Sequence, residues 1–593
     1  MSCEELSDYF RWPSAGFLLK ATSADVSVRQ ADRLGQDCDD RGSPFYRLLY
    51  NARLLLWDVL TMASDKQEIE WQFDAPDLSV VATWLRRRSA EDGWQVHEEG
   101  TQEITDSYFD TPEWHLFRAG YVLRVRSSPR CPTEVTLKSF GVRQAGLRSR
   151  REISESLTDA AGDHAVSVRQ VTGPVKQHIR TIVGQGQWPG QKLFSAHTRR
   201  VSFALCAGQV RLAEIALDAT SIHGADRSEP ATALARVEVE ALSPQTTEDV
   251  ARFVAQMRAA CDLRPSTRSK FELGLRAQGI KPSFAPNLGK PAKPAKVGED
   301  EAIATLAFAV LREHFDRWLT VEPAVRLGED AEAIHRGRVA IRRLRSALSL
   351  FRAYLPAEAQ QYREEWAWVA DLLGAVRDLD VQREQLLGWQ ASRAFPWADD
   401  LAAAVEWIAR QRAKAQAALL RGLNSVRYQR FALAFTHFLR AGEAKTNEDG
   451  GAPVRQALPK LIRKRHAKLR RLGDTLGPRS SLEDYHALRI RCKRLRYALE
   501  AGEHLFGRKV RAYLSRCIAL QDLLGEIQDA HVAARQARDW AISARPSLPP
   551  ATVFALGAFA HHYIQRVDAL LDRFPERYRS IKAWKSLHSA MTE

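Results

Sequence analysis

Six short stretches of the chain set charged residues two or four apart with apolar residues between them, and the charge is largely sorted by stretch. Glu68 and Glu70 alternate with Ile69, Trp71 and Phe73 in QEIEWQF, while Arg124 and Arg126 alternate with Leu123 and Val125 in GYVLRVRS. Glu134, Thr136 and Lys138 line up in EVTLKS, and Arg148, Arg150 and Glu152 in RSRRE. Glu214 and Asp218 follow in AEIALDA, and Glu238 and Glu240 in RVEVEAL. Guanidinium and ammonium groups neutralise phosphate oxygens, and carboxylates hold hard divalent cations such as Mg²⁺ or Mn²⁺. Side by side, these two sets suit a polyphosphate accompanied by metal.

Residues two apart share one face of a strand, so each stretch is expected to be a strand with a charged face and an apolar face. An antiparallel sheet with one wet side produces the same alternation, and that is the simpler account of any single stretch. The sorting of sign by strand argues for more. Like charges on one face repel unless something compensates them, and acidic strands facing basic strands across a closed barrel would do so.

Taken in order, EIEWQF, YFDTPEWHLFRAGYVLRVR, TLK, RSRRE, EIALDATSI, RVEVEAL and PSTRSKFELG give the chain from Glu68 to about Leu275 a resemblance to the CYTH family, the triphosphate tunnel metalloenzymes. The resemblance implies an eight-stranded antiparallel β-barrel tunnel that hydrolyses triphosphate-type substrates with metal; in members with cyclase activity the tunnel handles ATP. Position by position it implies catalytic roles for Glu68, Glu70 and Glu152. It implies phosphate contacts from Arg124, Arg126, Lys138, Arg150, Arg200 and Lys270, and metal contacts from Glu68, Glu70, Glu214, Asp218, Glu238 and Glu240. Tyr108, Asp110, Thr111 and Pro112 resemble the family's turn motif and read as structural. Gln72 stands where the E-x-E-x-K signature carries lysine. Glutamine keeps reach and hydrogen bonding and lacks the positive charge, which weakens an anion contact there. The implied reaction is metal-assisted phosphoryl transfer to water.

The second half repeats itself. HRGRVAIRRLRSAL laid over HALRIRCKRLRYAL pairs His335 with His486, and the same offset of 151 residues carries Arg338 to Arg489, Arg342 to Lys493, Arg343 to Arg494 and Arg345 to Arg496. It also carries Asp378 to Asp529, so duplicated helical units are expected. At 100° per residue His335, Arg338, Arg342 and Arg345 form one stripe beside an apolar stripe of Ile334, Ile341, Leu344, Leu348 and Phe351. A charge run is usually a solvated face. Here, like charges at i,i+4 cost roughly 0.2–0.5 kcal/mol each without interleaved acids, and a bound polyanion would offset that cost. The histidines suit hydrogen-bonded interface positions better than metal ligation, because neither has a second ligand at metal spacing. These motifs resemble the CHAD family over about 300–590, which implies two four-helix-like halves around a basic surface that binds inorganic polyphosphate.

At 593 residues the chain exceeds one core, and its net charge of +15 with a pI near 9.5 points to a polyanionic partner. The expected organisation is an extension over 1–61, a tunnel domain over 62–277, a Lys/Pro/Ala spacer over 278–299, and helical repeats over about 300–440 and 452–590. That gives an α+β chain whose second domain is all-α. Strong patterning begins a few residues after Met62, which is expected to be the natural start. The seven cysteines are scattered and never form a C-x-x-C pair, which fits a reducing cytoplasm. No apolar run reaches membrane-spanning length, and no stacked-aromatic strand, zinc finger or recognition helix points to specific nucleic-acid binding. Three readings follow: a metal-dependent triphosphatase or short-chain polyphosphatase, a non-catalytic polyphosphate binder at polyphosphate granules, and an adenylate cyclase.

Overall fold

The structure is a computed structural model describing residues 63–581 except 89–92, 130, 145–146, 158–167, 185, 226–228, 283–293, 295–296, 393–394, 446–447, 478, 507 and 544–547. The expected start at Met62, the extension before it and most of the Lys/Pro/Ala spacer lie outside the described residues.

Ten strands make one sheet: β1 (Ala63–Asp74), β2 (Gln95–Asp110), β3 (Tyr121–Ser128), β4 (Cys131–Ser139), β5 (Val142–Gln144), β6 (Leu147–Leu157), β7 (Gln191–Ala207), β8 (Val210–Gly224), β9 (Pro230–Ala241) and β10 (Arg264–Pro265). Their order is β10-β1-β9-β8-β7-β2-β3-β4-β6-β5, and β1 also pairs with β6. Eight strands therefore close on themselves as an antiparallel barrel, and the two shortest strands hang outside the ring. Closure removes the exposed edges that an open sheet would offer to other chains.

Among the described residues five helices dress the barrel: α1 (Leu78–Arg87), α2 (His115–Arg118), α3 (Pro174–Val183), α4 (Thr247–Ala260) and α5 (Lys270–Ala277). Alternation along β1 turns Glu68, Glu70 and Gln72 inward, while Trp71 and Phe73 pack outside in a cluster with Val81 and Leu85 of α1 and Val250 and Phe253 of α4. Burial of such a side chain stabilises by about 1.5–3 kcal/mol, which fixes the register and with it which face becomes the lumen. α5 begins in a capping box, Ser269 accepting from the Glu272 backbone and Glu272 from that of Ser269, so Lys270 falls in its first turn. A Cβ at Gly274 would lie 2.2 Å from the Phe194 ring, so only glycine lets α5 approach β7 this closely.

The helical half contains α6 (Ile303–Leu327), α7 (Ala331–Leu350), α8 (Ala359–Gln390), α9 (Ala402–Asn424), α10 (Val426–Ala441), α11 (Val454–Gly473), α12 (Leu482–Ala501), α13 (Arg508–Ser543), α14 (Pro550–Asp572) and α15 (Phe574–Arg579). Both ends of α7 and α12 differ by the 151 residues read from the repeat. One apolar core runs through both repeats, from Val297 to Ile581. The turn after α6 meets the barrel wall, where Glu329 accepts from the Tyr121 hydroxyl at 2.6 Å and from Arg151, and lies 3.0 Å from His178 Nε2.

Candidate active site

The barrel encloses a cavity of about 920 Å³ whose wall includes Glu68, Glu70, Gln72, Arg124, Arg126, Lys138, Arg150, Glu152, Arg200, Glu214, Glu238, Glu240 and Lys270. All six expected phosphate-binding cations thus face one space. Asp218 does not line it: fully buried, it sits behind Arg200 and Lys270 and accepts from both.

Two ion-pair networks cover the wall. In the first, Lys138 Nζ lies 2.9 Å from Glu68 Oε1 and 3.2 Å from Glu152 Oε2, while Arg150 reaches Glu68 at 2.5 Å and Glu70 at 2.7 Å. In the second, Arg200 forks onto Asp218 at 2.8 and 2.7 Å and reaches Glu238 at 2.9 Å, and Lys270 lies 3.1 Å from Glu238. Gln72 joins the two, its Nε2 donating to Glu70 Oε1 at 2.9 Å and to Glu238 Oε1 at 3.3 Å.

The charge compensation expected across the barrel runs partly between neighbouring strands, while Lys138 on β4 reaches Glu68 on β1 and Arg200 on β7 reaches Glu238 on β9 over an intervening strand. Lys138 with Glu152, Arg126 with Asp106, and Arg200 with Asp218 are register partners on adjacent strands. Paired positions hold their Cβ atoms about 5 Å apart, so neighbours neutralise each other and the lumen stays open.

The electrostatics follow from burial and pairing. Burial pushes the Glu68 carboxyl up, but Lys138 and Arg150 more than offset it and hold the group well below the usual carboxylate range. Glu238 is likewise held well below that range against burial, chiefly by Lys270 and Arg200. Glu70 moves the other way: burial raises it, and the neighbouring Glu68 and Glu238 add to the rise against the pull of Arg150.

Asp106 is a site residue that the alternation in the sequence did not single out. It is 1% exposed, accepts from Arg126 at 2.8 and 2.9 Å, and is held below the carboxylate range, against burial, by Arg126 and Arg124. Asp110, read as structural, accepts from the backbone of Thr111, Leu116 and Phe117 at 2.7, 3.1 and 2.9 Å and so pins α2.

Of the six carboxylates expected to hold metal, Glu70, Glu240 and Glu214 stand in one row of register partners across β1, β9 and β8, while their side chains turn to separate partners. Asp218 is covered by cations, Glu240 pairs with Lys66 at 2.8 Å, and Glu214 lies 4.0 Å from Arg200. Among the described residues no group of three or more His, Cys, Asp and Glu side chains could hold a metal ion as they stand. Each acid has taken a nearby cation instead. In kind, the carboxylate oxygens on the wall still fit a hard divalent cation.

In the helical half the two basic helices α7 and α12 meet along a seam between the repeats. Arg338 and Arg342 of one repeat and Arg489 and Lys493 of the other converge there, and burial together with those three arginines pulls Lys493 down to about 7. The repeat extends to side chains: Arg338 reaches Asp378 at 2.9 Å, and Arg489 approaches Asp529 at 4.0 Å. His486 Nδ1 lies 2.8 Å from Gln528 Oε1, while His335 has Arg377 at the equivalent place.

The four remaining arginines of the repeat have other neighbours. Arg343 and Arg496 both bind Glu500, at 2.8 and 2.6 Å, which supplies the acid that the sequence reading had judged missing. Arg345 faces Asp371 and Arg363 of α8, and Arg494 is exposed near Arg465 of α11. A helical wheel sorts residues by face without telling which face meets the partner repeat.

A closed, charge-lined barrel followed by a duplicated helical bundle defines a two-domain architecture. Residues 73–272 match the CYTH domain and residues 309–538 the CHAD domain, so the chain is a CYTH domain followed by a CHAD domain. It is similar to an uncharacterised protein of Mycobacterium tuberculosis, 26% identical over 509 residues that span 80% of this chain and 89% of that one. Among solved structures, the CHAD domain of the plant Ricinus communis is 25% identical, covering 51% of this chain and 99% of its own, with a TM-score of 0.42. PptA of Streptomyces chartreusis is 21% identical, covering 47% and 99%, with a TM-score of 0.39. No helix among the described residues is long and apolar enough to cross a membrane.

Proposed function

We propose that the tunnel is a divalent-metal-dependent phosphohydrolase of inorganic triphosphate or short-chain polyphosphate, and that the seam of the helical half binds a longer polyphosphate. The observation that carries this reading is the convergence of Arg124, Arg126, Lys138, Arg150, Arg200 and Lys270 on one enclosed cavity. Entering phosphate oxygens exchange with carboxylates as partners of these cations, which frees Glu68, Glu70 and Glu238 to hold Mg²⁺ or Mn²⁺. The metal supplies charge screening and a more acidic water. Arg124, Arg126, Lys138 and Arg150 orient the chain and stabilise charge on the terminal phosphoryl group as its bond to the bridging oxygen breaks. Glu68, Glu70 and Glu152 are the carboxylates assigned to orient the attacking water and take its proton, with Glu152 also holding Lys138 in place. Arg338, Arg342, Arg489 and Lys493 bind polyphosphate in the seam, which would hold a chain near the tunnel in the cytoplasm or at polyphosphate granules.

The neutral Gln72 favours one second reading, a tunnel that grips polyphosphate without efficient turnover. Phosphate release from tripolyphosphate, long-chain polyphosphate and ATP with Mg²⁺ or Mn²⁺ separates the two, comparing the native protein with Glu70→Gln and Gln72→Lys. Metal-dependent release from tripolyphosphate that Glu70→Gln abolishes supports the hydrolase. Tight binding without turnover in the native protein establishes the binder, and turnover confined to ATP with release of pyrophosphate would point to a cyclase.

A further inference from the structure

α11 carries eight Lys and Arg side chains and no acid over its 20 residues, which is more than half of the chain's net charge of +15. Lys460, Arg463, Lys464, Lys468 and Arg471 are exposed. At 100° per residue these five fall within about 140° of one another, in a stripe about 17 Å long at a rise of about 1.5 Å per residue. Among the described residues none of the five pairs with an acid, whereas Arg455 and Arg470 pair with Asp300 and Asp474.

The repeat supplies the comparison. α11 is the counterpart of α6: both helices begin 151 residues apart, and the residues just before them, Ala302 and Pro453, form an antiparallel bridge between the repeats. On α6 acids are interleaved, with Glu313 paired to Arg317 and Glu322 to Arg326, and Asp316 and Glu322 also face Arg118 of the barrel. The same offset carries Asp316 and Glu322 to Ala467 and Gly473. α11 therefore drops the acids that meet the barrel, and it sets Lys460, Lys464 and Lys468 at i,i+4, where each like-charged pair costs roughly 0.2–0.5 kcal/mol. A second copy of the barrel does not suit this face, because its Arg118 would meet cations.

The stripe is also separate from the seam. Arg491, which donates to the Lys468 carbonyl at 3.1 Å, stands about 160° around α12 from both Arg489 and Lys493, so stripe and seam lie on opposite sides of that helix. A flexible polyphosphate chain must be ordered on binding, and an open convex face offers it no walls. A duplex is already stiff, with a persistence length of about 50 nm. Its charges fall about 1.7 Å apart along the axis, which gives about ten phosphates over the length of the stripe. An anionic membrane favours apolar side chains that enter it, and the exposed uncharged residues of α11 are Gln456 and Ala467.

We propose that the exposed face of α11 binds the backbone of double-stranded nucleic acid, without regard to base sequence, at a site distinct from the tunnel and the seam. Anisotropy of a labelled DNA duplex of about 20 base pairs, titrated with the full chain between about 50 and 200 mM salt, tests it. Five phosphate contacts at about −0.9 each in log–log slope should weaken binding about 500-fold over that range. Lys460→Gln, Lys464→Gln, Lys468→Gln and Arg471→Gln combined should make the slope shallower by about 3–4, and Lys464→Gln alone by about 1. Lys460→Arg, Lys464→Arg and Lys468→Arg combined should keep the native slope. The Gln variant should keep the native urea midpoint, since it removes only exposed like charges. An unchanged slope in both Gln variants overturns the proposal, as does a native protein that binds no duplex at about 50 mM salt. A slope removed instead by Arg342→Gln with Lys493→Gln would give the duplex to the seam and overturn it too. Loss of binding to phosphatidylserine vesicles, with duplex binding intact, would overturn it in favour of a membrane surface.

Discussion

Lys493 and Arg342 hold equivalent positions in the two repeats, and the fold brings them into one cationic cluster across the seam. Burial and the arginines at 489, 342 and 338 oppose its protonation, with Asp529 as the weak counterweight, and set Lys493 at about 7. A polyanion reverses the balance, so binding above pH 7 must take up a proton. Affinity of the helical half for polyphosphate should therefore fall by about ten-fold or more between pH 6 and pH 9 at matched ionic strength. Lys493→Arg should flatten that profile, because a guanidinium stays charged throughout. Calorimetry in buffers of different ionisation enthalpy reads the proton directly, and a profile identical in both proteins would refute the assignment. Without ligand the sign is opposite. The unfolded lysine, near 10.4, binds more protons than the folded one between that value and about 7, so this group makes the protein more stable as pH rises through that window.

Glu500 is the counter-charge that lets the two repeats approach. It binds Arg496 within its own helix and Arg343 from the other repeat, and all three are about one-fifth exposed. Glu500→Ala leaves two partly buried guanidiniums beside the cationic seam, and should cost about 2 kcal/mol of stability, less than a fully buried pair because water still screens these groups. Added polyphosphate should recover part of the loss, since a ligand that binds only the folded state raises the unfolding midpoint. A urea midpoint unchanged by the substitution would show that the pairs add nothing.

Asp106→Asn tests the residue that alternation did not reveal. The substitution removes the charge that anchors Arg126 by two bonds, so the expected result is a stability loss of about 3 kcal/mol. With its fork released, Arg126 should also lose its position toward phosphate, and kcat/KM for tripolyphosphate should fall by about ten-fold or more. Native unfolding and native kinetics together would place Asp106 outside the working site.

The reason Asp106 escaped notice is local. β2 is polar on both faces from His97 to Glu103 and carries irregularities between Glu98 and Gly100 and between Tyr108 and Phe109, so no clean period of two leads up to it. β1, β8 and β9 were legible for the converse reason. Their outer faces are buried under helices while their inner faces stay charged, and the alternation survives intact. The covering helices α1, α3 and α4 lie between the alternating stretches, and nothing in the charge pattern marked them. In the helical half the repeat was visible because its offset is constant, but the partners of its charges were not. Glu500 lies just beyond the compared motif, and only the packing of α7 on α12 decides that Arg343 meets it while Arg342 meets Tyr497, at 3.1 Å. Gln72 was legible as a departure from lysine, whereas its bonds to Glu70 and Glu238 needed the structure.

The ligand-free tunnel should be acid-sensitive. Glu68, Glu152, Glu238 and Asp106 all titrate below their ordinary values, each against the cost of burial, through Lys138, Arg150, Lys270, Arg200 and Arg126. For carboxylates with depressed folded values the stabilisation is full above the unfolded values, near 4, and is lost as pH falls through the folded ones. Glu70, raised in the fold, works against this trend and begins to take up its proton at higher pH. Urea unfolding followed from pH 7 to pH 3 should show stability falling most steeply below about pH 4. Lys138→Met should make the fall shallower by removing the largest pull on Glu68 and Glu152. A stability flat to pH 3 would mean that these pairs contribute nothing net to the fold.

Glu329 ties the barrel to the bundle at the point where α7 begins. It receives Tyr121, Arg151 and His178 from the barrel, and Arg151 sits on β6 between Arg150 and Glu152, whose side chains face the lumen. Glu329→Ala removes the common acceptor but spares Arg151 its second partner, Asp65 at 2.5 Å, so the barrel itself should remain folded. Losing these charge-assisted bonds should weaken the joint by about 1.5–3 kcal/mol, enough to uncouple domains that otherwise unfold together. The expected outcome in differential scanning calorimetry is one transition becoming two, with faster proteolytic cleavage between Ala277 and Ile303. Glu329→Gln keeps the acceptor oxygen and should fall between the two. A single unshifted transition in Glu329→Ala would show that the halves are held by the apolar contacts of α3 and α6 alone.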